Sequence, residues 1–166
     1  MNIRPEAATD AKAISALLKR AFSGHPHSSG TEPAIVGALR AQSALAVSLV
    51  AEIKGKVMGH VAFSPVTVGD GTPHWYGLGP LAVEPKYQRL GIGAALVEAG
   101  LVRLRQIGAA GCVVLGDPAY YGRFGFHSDR GITCAGPPPE NFMALLLSGP
   151  TARGDVRYHE AFAAKV

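Results

Sequence analysis

Two glycines in segment 88–93, which reads Gln-Arg-Leu-Gly-Ile-Gly, have the residue type and spacing that could bind an anion. Apolar helix-forming residues follow at once, and the preceding segment 79–85 is typical of a short buried strand that ends at a proline. Glycines let the backbone turn tightly, so that several N–H groups converge on one anion at the start of a helix. This order of strand, loop and helix predicts a pyrophosphate site; a plain strand-to-helix turn is the structural alternative.

The charge of the chain suits an anionic ligand. The 166 residues carry a net charge of +4 at pH 7. Lys86 and Arg89 lie beside the predicted anion site, whereas no long basic run and no basic–aromatic stripe occurs elsewhere, so nucleic acid is not expected as the main partner. The two cysteines, Cys112 and Cys134, indicate neither a disulfide framework nor a metal site.

The elements that position the glycine segment follow from the hydrophobic pattern. A short strand near Ile3 precedes a helix that Thr9 or Asp10 could cap. A second helix and three meander strands follow, and the strand that leads into the glycines is the last of them. The predicted ranges are about 11–22 and 31–41 for the helices, and about 44–53, 56–63 and 75–83 for the strands.

Beyond the glycines, apolar spacing predicts a helix that ends near residues 107–108 and a buried strand over 111–115. A strand-helix-strand crossover of this length requires the two strands to be parallel, so the sheet must be mixed. A short helix over 118–123 and two closing strands, 142–147 and 156–162, complete the prediction.

The length favours one domain over residues 1–166, since the chain is long enough for one full core and short for two. The N-terminal segment lacks the pattern of a secretory signal, and no apolar run approaches the ~20 residues that a membrane span needs. We therefore expect a cytoplasmic protein.

This order of elements resembles the GNAT superfamily of N-acetyltransferases over nearly the whole chain. Segment 81–94 is similar to the family's pyrophosphate-binding Q/R-x-x-G-x-G/A signature, in which Gln88, Gly91 and Gly93 occupy the fixed positions. Segment 120–126, Tyr-Tyr-Gly-Arg-Phe-Gly-Phe, is similar to the family's aromatic-Tyr-x-x-x-Gly-Phe element. The ending, 141–162, is similar to the YhbS-like subgroup.

The resemblance implies an α/β (α+β) fold with a mixed, mostly antiparallel sheet. About six or seven strands, about four helices and a central parallel strand pair are expected. It implies acetyl-CoA as co-substrate and no metal. The residues implied to bind coenzyme A are Leu81, Ala82, Val83, Gln88, Arg89, Leu90, Gly91, Ile92, Gly93 and Ala94.

Within that set, the backbone of 88–93 would bind the pyrophosphate, and the backbone of 81–83 would face the acetyl carbonyl and the pantetheine arm. An ordinary buried strand is the alternative for 81–83. Tyr121 matches the family's usual general acid, which protonates the coenzyme A thiolate. A core tyrosine is the alternative for Tyr121, and Tyr120 could take its role.

A general base is harder to assign. A lysine-like amine with a pKa of ~10.4 costs roughly 4.6 kcal/mol to deprotonate at pH 7. Several family members use a strand glutamate, but the corresponding segment 74–78 has no carboxylate, and Glu84 lies past the reacting carbon. The remaining candidates, acting through water, are Glu32, His25, His27, His60 and His74.

The resemblance therefore implies an acetyl-CoA-dependent N-acetyltransferase that acts by direct attack of a primary amine in a ternary complex. The acceptor would be a small-molecule or peptide amine, and a homodimer is possible. An acyl-CoA-binding sensor without turnover is the alternative from another class. A nucleotide-binding protein is a weaker alternative, because no G-x-x-x-x-G-K-[ST] motif occurs.

Overall fold

The computed structural model describes residues 1–26, 28 and 30–164. Within these residues, the strands form one mixed eight-stranded sheet. The sheet order is β1-β2-β3-β4-β5-β7, while β8 pairs with β3 and β6. The β4–β5 and β6–β8 pairs are parallel and the others antiparallel, so the predicted fold class is confirmed. The strands are β1 (Asn2–Pro5), β2 (Val47–Ile53), β3 (Lys56–Val68), β4 (Trp75–Val83), β5 (Gly111–Leu115), β6 (Ile132–Thr133), β7 (Phe142–Leu146) and β8 (Gly154–Tyr158).

Helices cover both faces of the sheet. On one face, Leu96 of the third helix packs in a core cluster with Phe63 and Leu78, and on the other, Ile14 of the first helix packs with Val50 and Ala82. The helices are α1 (Ala11–Phe22), α2 (Glu32–Ala41), α3 (Ile92–Gln106) and α4 (Pro118–Tyr121). Within the described residues, no helix combines the length and the apolar content needed to cross a membrane.

The start of α1 agrees with the sequence, and Asp10 takes a predicted N-cap position, but its side chain does not cap the helix. Asp10 stands at the N-cap position without a side-chain hydrogen bond to the helix, and Thr9 lies in a preceding 3-10 turn. The Asp10 carboxylate instead accepts a hydrogen bond from Arg4 at 2.7 Å and one from the backbone N–H of Ala7 at 2.6 Å. Those two bonds share Oδ2, and Arg4 also donates to Oδ1 at 3.1 Å, so both carboxylate oxygens bind the segment before the helix.

The two closing strands do not pair with each other. β7 pairs with β5, whereas β8 pairs with β3 through Val66–Val68. β2 ends its pairing at Phe63, so the rest of β3 offers a free edge that β8 occupies. The last strand also ends at Tyr158, before the predicted limit, because a 3-10 turn follows at Glu160–Ala163.

The parallel strands β4 and β5 separate halfway along β4. Their pairing runs from Trp75 opposite Gly111 to Leu78 opposite Val114, and residues 79–83 of β4 have no partner on β5. β3 still holds that part of β4, with Val61 opposite Leu81. The sheet is therefore open at one place along its centre, while both strands remain anchored on their outer sides.

A buried polar cluster lies under α2. The fully buried His60 lies with its Nε2 2.9 Å from the Ser48 hydroxyl, which donates to Glu6, and Arg40 donates to the Glu6 carboxylate at 2.8 Å. Burial lowers the pKa of His60 from 6.5 to about 4, a net value that includes the opposing charge of Glu6 and a smaller lowering by Arg40. His60 is therefore neutral in the folded protein at pH 7.

We predict that the free energy of unfolding falls as the pH is lowered from about 6.5 to about 4. In this range the unfolded state binds a proton that folded His60 does not, which corresponds to a loss of about 3 kcal/mol. Urea denaturation at a series of pH values measures this change in the free energy of unfolding. His60→Gln should flatten the profile in this window, whereas the exposed control His127→Gln should not; identical profiles for wild type and His60→Gln would contradict the assignment.

Candidate functional site

The glycine segment leaves β4 through a tight loop. After a 3-10 turn at Pro85–Tyr87, Arg89 and Gly91 take left-handed backbone conformations, with φ of 65° and 87°. Such a conformation is unfavourable for most residues and natural for glycine, which explains why Gly91 stands immediately before α3. The Gln88 side chain donates to the Val83 carbonyl at 3.0 Å and ties the loop to the end of the strand.

The first turn of α3 presents free backbone donors. Gly91 is the N-cap residue and no side chain caps this helix. The first backbone hydrogen bond runs from Ala95 to the Gly91 carbonyl at 3.0 Å, so the N–H groups of Ile92, Gly93 and Ala94 precede the helical ladder. Unpaired donors at the positive end of the helix dipole suit an anion.

These donors open into a cleft of about 370 Å³, here called the glycine cleft. Two arginines line it, and no carboxylate is among its described lining residues. Of the ten residues implied for coenzyme binding, eight line this cleft. The lining consists of Leu81, Val83, Tyr87, Gln88, Arg89, Gly91, Ile92, Gly93, Ala94, Tyr120 and Arg123.

The other two of those ten residues lie elsewhere. The side chain of Ala82 is buried in the cluster with α1, on the opposite face of the sheet from α3. Leu90 is 68% exposed and does not line the cleft. Any contact from Ala82 to the cleft must therefore use its backbone, because alternate residues of a strand face opposite sides.

Tyr120 and Arg123 are cleft residues that the sequence left without a binding role. A Cβ on Gly93 would lie 2.8 Å from the Tyr120 hydroxyl, so this hydroxyl closes over the start of α3. The Arg123 guanidinium stacks 4.6 Å from the centre of the Tyr120 ring. Both residues belong to the seven-residue motif 120–126, which the sequence had already singled out. Only the fold brings α4 against the glycines.

Tyr121 faces a second, neighbouring cavity of about 760 Å³, here called the Tyr121 cavity. This second cavity lies where β4 and β5 separate, and Leu81 lines both cavities, which are therefore neighbours. Its described lining residues are Phe22, His25, Leu78, Gly79, Leu81, Leu115, Gly116, Asp117, Tyr121, Pro137, Pro138 and Asn141. Two adjacent tyrosines of α4 thus line two neighbouring cavities.

The surroundings of Tyr121 keep its phenol protonated. Burial raises the pKa of Tyr121 above its ordinary value, and the neighbouring Tyr120 and Cys112 raise it further. The ring lies against Gly116, where a Cβ would come within 2.5 Å of the ring, and meets the Phe126 ring edge-on at 6.0 Å. A neutral, fixed phenol is a proton donor at neutral pH.

The structure separates the base candidates. His25 lines the Tyr121 cavity. His60 is buried against Ser48 and Glu6, and His74 is exposed before Trp75, at the opposite end of β4 from Leu81. Glu32 accepts a hydrogen bond from Ser28 at 2.8 Å and lines neither cavity, and Glu84 is paired with Arg20 at 2.8 Å. His27 lies outside the described residues.

Within the strand segment 74–78, Gly77 is a position where packing excludes a carboxylate. The ring of Tyr158, from β8, lies on Gly77, where a Cβ would come within 2.6 Å of the ring. A glutamate at Gly77 would therefore displace the tyrosine. Asp117 is instead the carboxylate among the described residues that line the Tyr121 cavity.

Comparisons with known proteins agree with this geometry. The sequence profile described as "Acetyltransferase (GNAT) family" matches residues 11–126. The chain is 41% identical over 171 aligned residues to the uncharacterized N-acetyltransferase YhbS of Escherichia coli K12, and the match covers 98% of both chains. The resemblance to the YhbS-like subgroup is thereby confirmed.

Two solved structures are similar over almost the whole chain. One is a GNAT family acetyltransferase from Brucella melitensis in complex with acetyl-CoA, with 45% identity, a TM-score of 0.87 and 97% of both chains covered. The other is Escherichia coli YhbS in complex with CoA, with 40% identity and a TM-score of 0.89, covering 98% of this chain and 91% of that one.

We predict opposite effects of alanine at two helix-associated glycines. Gly91→Ala forces a left-handed alanine and should lower the free energy of unfolding by about 1–2 kcal/mol. Gly37→Ala, in the interior of α2 with open space around it, should raise it by about 0.5–1 kcal/mol. Chemical denaturation of both variants checks the pair, and a Gly91→Ala protein as stable as wild type would contradict the strained-loop account.

Proposed function

The chain belongs to the acetyltransferase (GNAT) family, and from this premise we propose that it transfers the acetyl group of acetyl-CoA to a primary amine. The observation that carries the proposal is that the two cavities share Leu81 as a lining residue, beside the opening between β4 and β5. A donor in the glycine cleft and an acceptor in the Tyr121 cavity would meet there. Both substrates would be bound together in a ternary complex.

The glycine cleft would hold the pyrophosphate of coenzyme A. The unpaired N–H groups at the start of α3 supply directional donors, and Arg89 and Arg123 supply positive charge. The Tyr120 hydroxyl, above Gly93, is a further donor at the same place. Two similar proteins were solved with CoA or acetyl-CoA bound, which supports this assignment.

The pantetheine arm would enter the opening between β4 and β5. Residues 79–83 have no β5 partner, so their backbone groups on that side are available to a ligand. A backbone N–H near Leu81 would stabilise the oxyanion that forms on the acetyl carbonyl. The side chains of 81–83 matter less than their backbone in this assignment.

The amine nitrogen would attack the thioester carbonyl directly. The tetrahedral intermediate then collapses, the carbon–sulfur bond breaks, and Tyr121 gives its proton to the leaving sulfur. The raised pKa of the Tyr121 phenol keeps that proton in place until the thiolate forms. His25 is the sequence-derived base candidate that lines the cavity, and it would accept the amine proton through water.

We propose that residues 1–166 act as one N-acetyltransferase domain. The cytoplasmic location and the formation of a homodimer are still predictions from the sequence.

We predict that saturating acetyl-CoA raises the melting temperature. At about 100 times its dissociation constant a ligand adds ~2.7 kcal/mol, which for a protein of this size is roughly 5–11 °C. Differential scanning fluorimetry with acetyl-CoA and with CoA measures the shift. No shift with either would contradict coenzyme binding, and thiol release across an amine panel separates an enzyme from a sensor without turnover.

We predict that Tyr121→Phe lowers kcat by about 10²–10⁴ while the Kd for acetyl-CoA changes little, because the phenol acts on the leaving sulfur. Tyr120→Phe is the matched control, and it should weaken acetyl-CoA binding more than it lowers kcat. Steady-state kinetics and calorimetry give the two constants. An unchanged kcat for Tyr121→Phe, in an assay limited by chemistry, would reject the acid assignment.

A further inference from the structure

The walls of the Tyr121 cavity indicate which amines it can accept. Six of its described lining side chains are hydrocarbon or aromatic without a polar atom: Phe22, Leu78, Leu81, Leu115, Pro137 and Pro138. They come from the end of α1, from β4, from β5 and from the loop after β6. A volume of about 760 Å³ is within the range of small-molecule sites. The apolar part of such a ligand would be buried among these side chains.

The charge of the cavity is equally restricted. Asp117 is the carboxylate among its described lining residues, and no lysine or arginine is among them. One Asp117 oxygen, Oδ1, accepts the Ala119 backbone N–H at 3.0 Å and caps α4, which leaves the second oxygen to a ligand. One carboxylate without a cationic partner suits one ammonium group.

The loop that carries Asp117 is held in place by Asn141, which precedes the neighbouring strand β7. The Asn141 side-chain amide donates to the Gly116 carbonyl at 3.1 Å, and the Gly116 N–H donates to the Asn141 carbonyl at 2.9 Å. This pair of hydrogen bonds leaves the Asn141 side-chain oxygen as a neutral acceptor on the cavity wall. Asn141 is therefore a positioning residue for Asp117.

We propose that the acceptor is a small monoamine with an apolar or aromatic body and no carboxylate, whose ammonium group pairs with Asp117 before it loses its proton, through water, to His25 and attacks. The proposal rests on the acetyl transfer proposed above. Polyamines and aminoglycosides carry several ammonium groups that one carboxylate cannot pair, and the net charge of +4 disfavours them further. An amino acid would bring its carboxylate into a cavity lined by Asp117, with no lysine or arginine among the described lining residues to receive it.

The sharpest test compares tyramine with tyrosine, which differ by one carboxylate. In a thiol-release assay with the wild-type protein, the kcat/KM for tyramine should be about tenfold or more above that for tyrosine. The kcat/KM for 2-phenylethylamine should likewise be about tenfold or more above the values for spermidine and kanamycin. A preference for tyrosine, spermidine, kanamycin or a lysine-containing peptide would overturn the proposal. The proposal would also be overturned if the protein turned over none of these amines while acetyl-CoA still raised its melting temperature. If acetyl-CoA did not raise the melting temperature, the proposed function itself would be contradicted.

A variant of Asp117 tests its role without loss of the helix cap. Asp117→Asn keeps an N-capping side chain but removes the charge, so KM for tyramine should rise about three- to tenfold, with kcat and the acetyl-CoA Kd nearly unchanged. Glu98→Gln, an exposed change on α3, is the matched control and should leave all three constants unaltered. An unchanged KM for tyramine in Asp117→Asn would overturn the ammonium pairing.

Discussion

The separation of β4 from β5 beyond Leu78 and Val114 is the constraint on which the rest of the site depends. A sheet interior normally pairs its backbone groups on both sides, and here residues 79–83 give up one side. The loss is tolerated because β3 still pairs with Leu81–Val83, and β7 holds β5 up to Leu115. An opening that would weaken an isolated strand pair is thus kept by its outer neighbours.

Three close contacts between a glycine and a tyrosine lie on the elements that form or adjoin this opening. Tyr120 closes over Gly93, Tyr121 lies against Gly116, and Tyr158 lies on Gly77. In each pair the absence of a side chain lets an aromatic ring or its hydroxyl approach the backbone, so the glycines have a packing role besides any turn. The same principle explains why the strand cannot carry a glutamate at Gly77 while Tyr158 is present.

The elements nearest the glycine segment were the most predictable from sequence. β4 has its predicted bounds and α3 ends within two residues of its predicted end, because buried alternation and helical periodicity are local properties. The cap at Asp10 and the closing strands were not predictable in the same way. The Asp10 side chain forms an ion pair with Arg4 and does not cap the helix, and β8 pairs with a free edge of β3 that exists only in the assembled sheet.

The sequence by itself determined the glycine loop, the helix behind it and the family, because backbone turning and periodicity depend on neighbouring residues. It also named Tyr121. Only the tertiary structure decided that Tyr120 and Tyr121 serve different cavities, that His60 is sealed away from both, and that Asp117 lines the second. Those outcomes depend on contacts between residues far apart in the chain, and local patterns carry no information about such contacts.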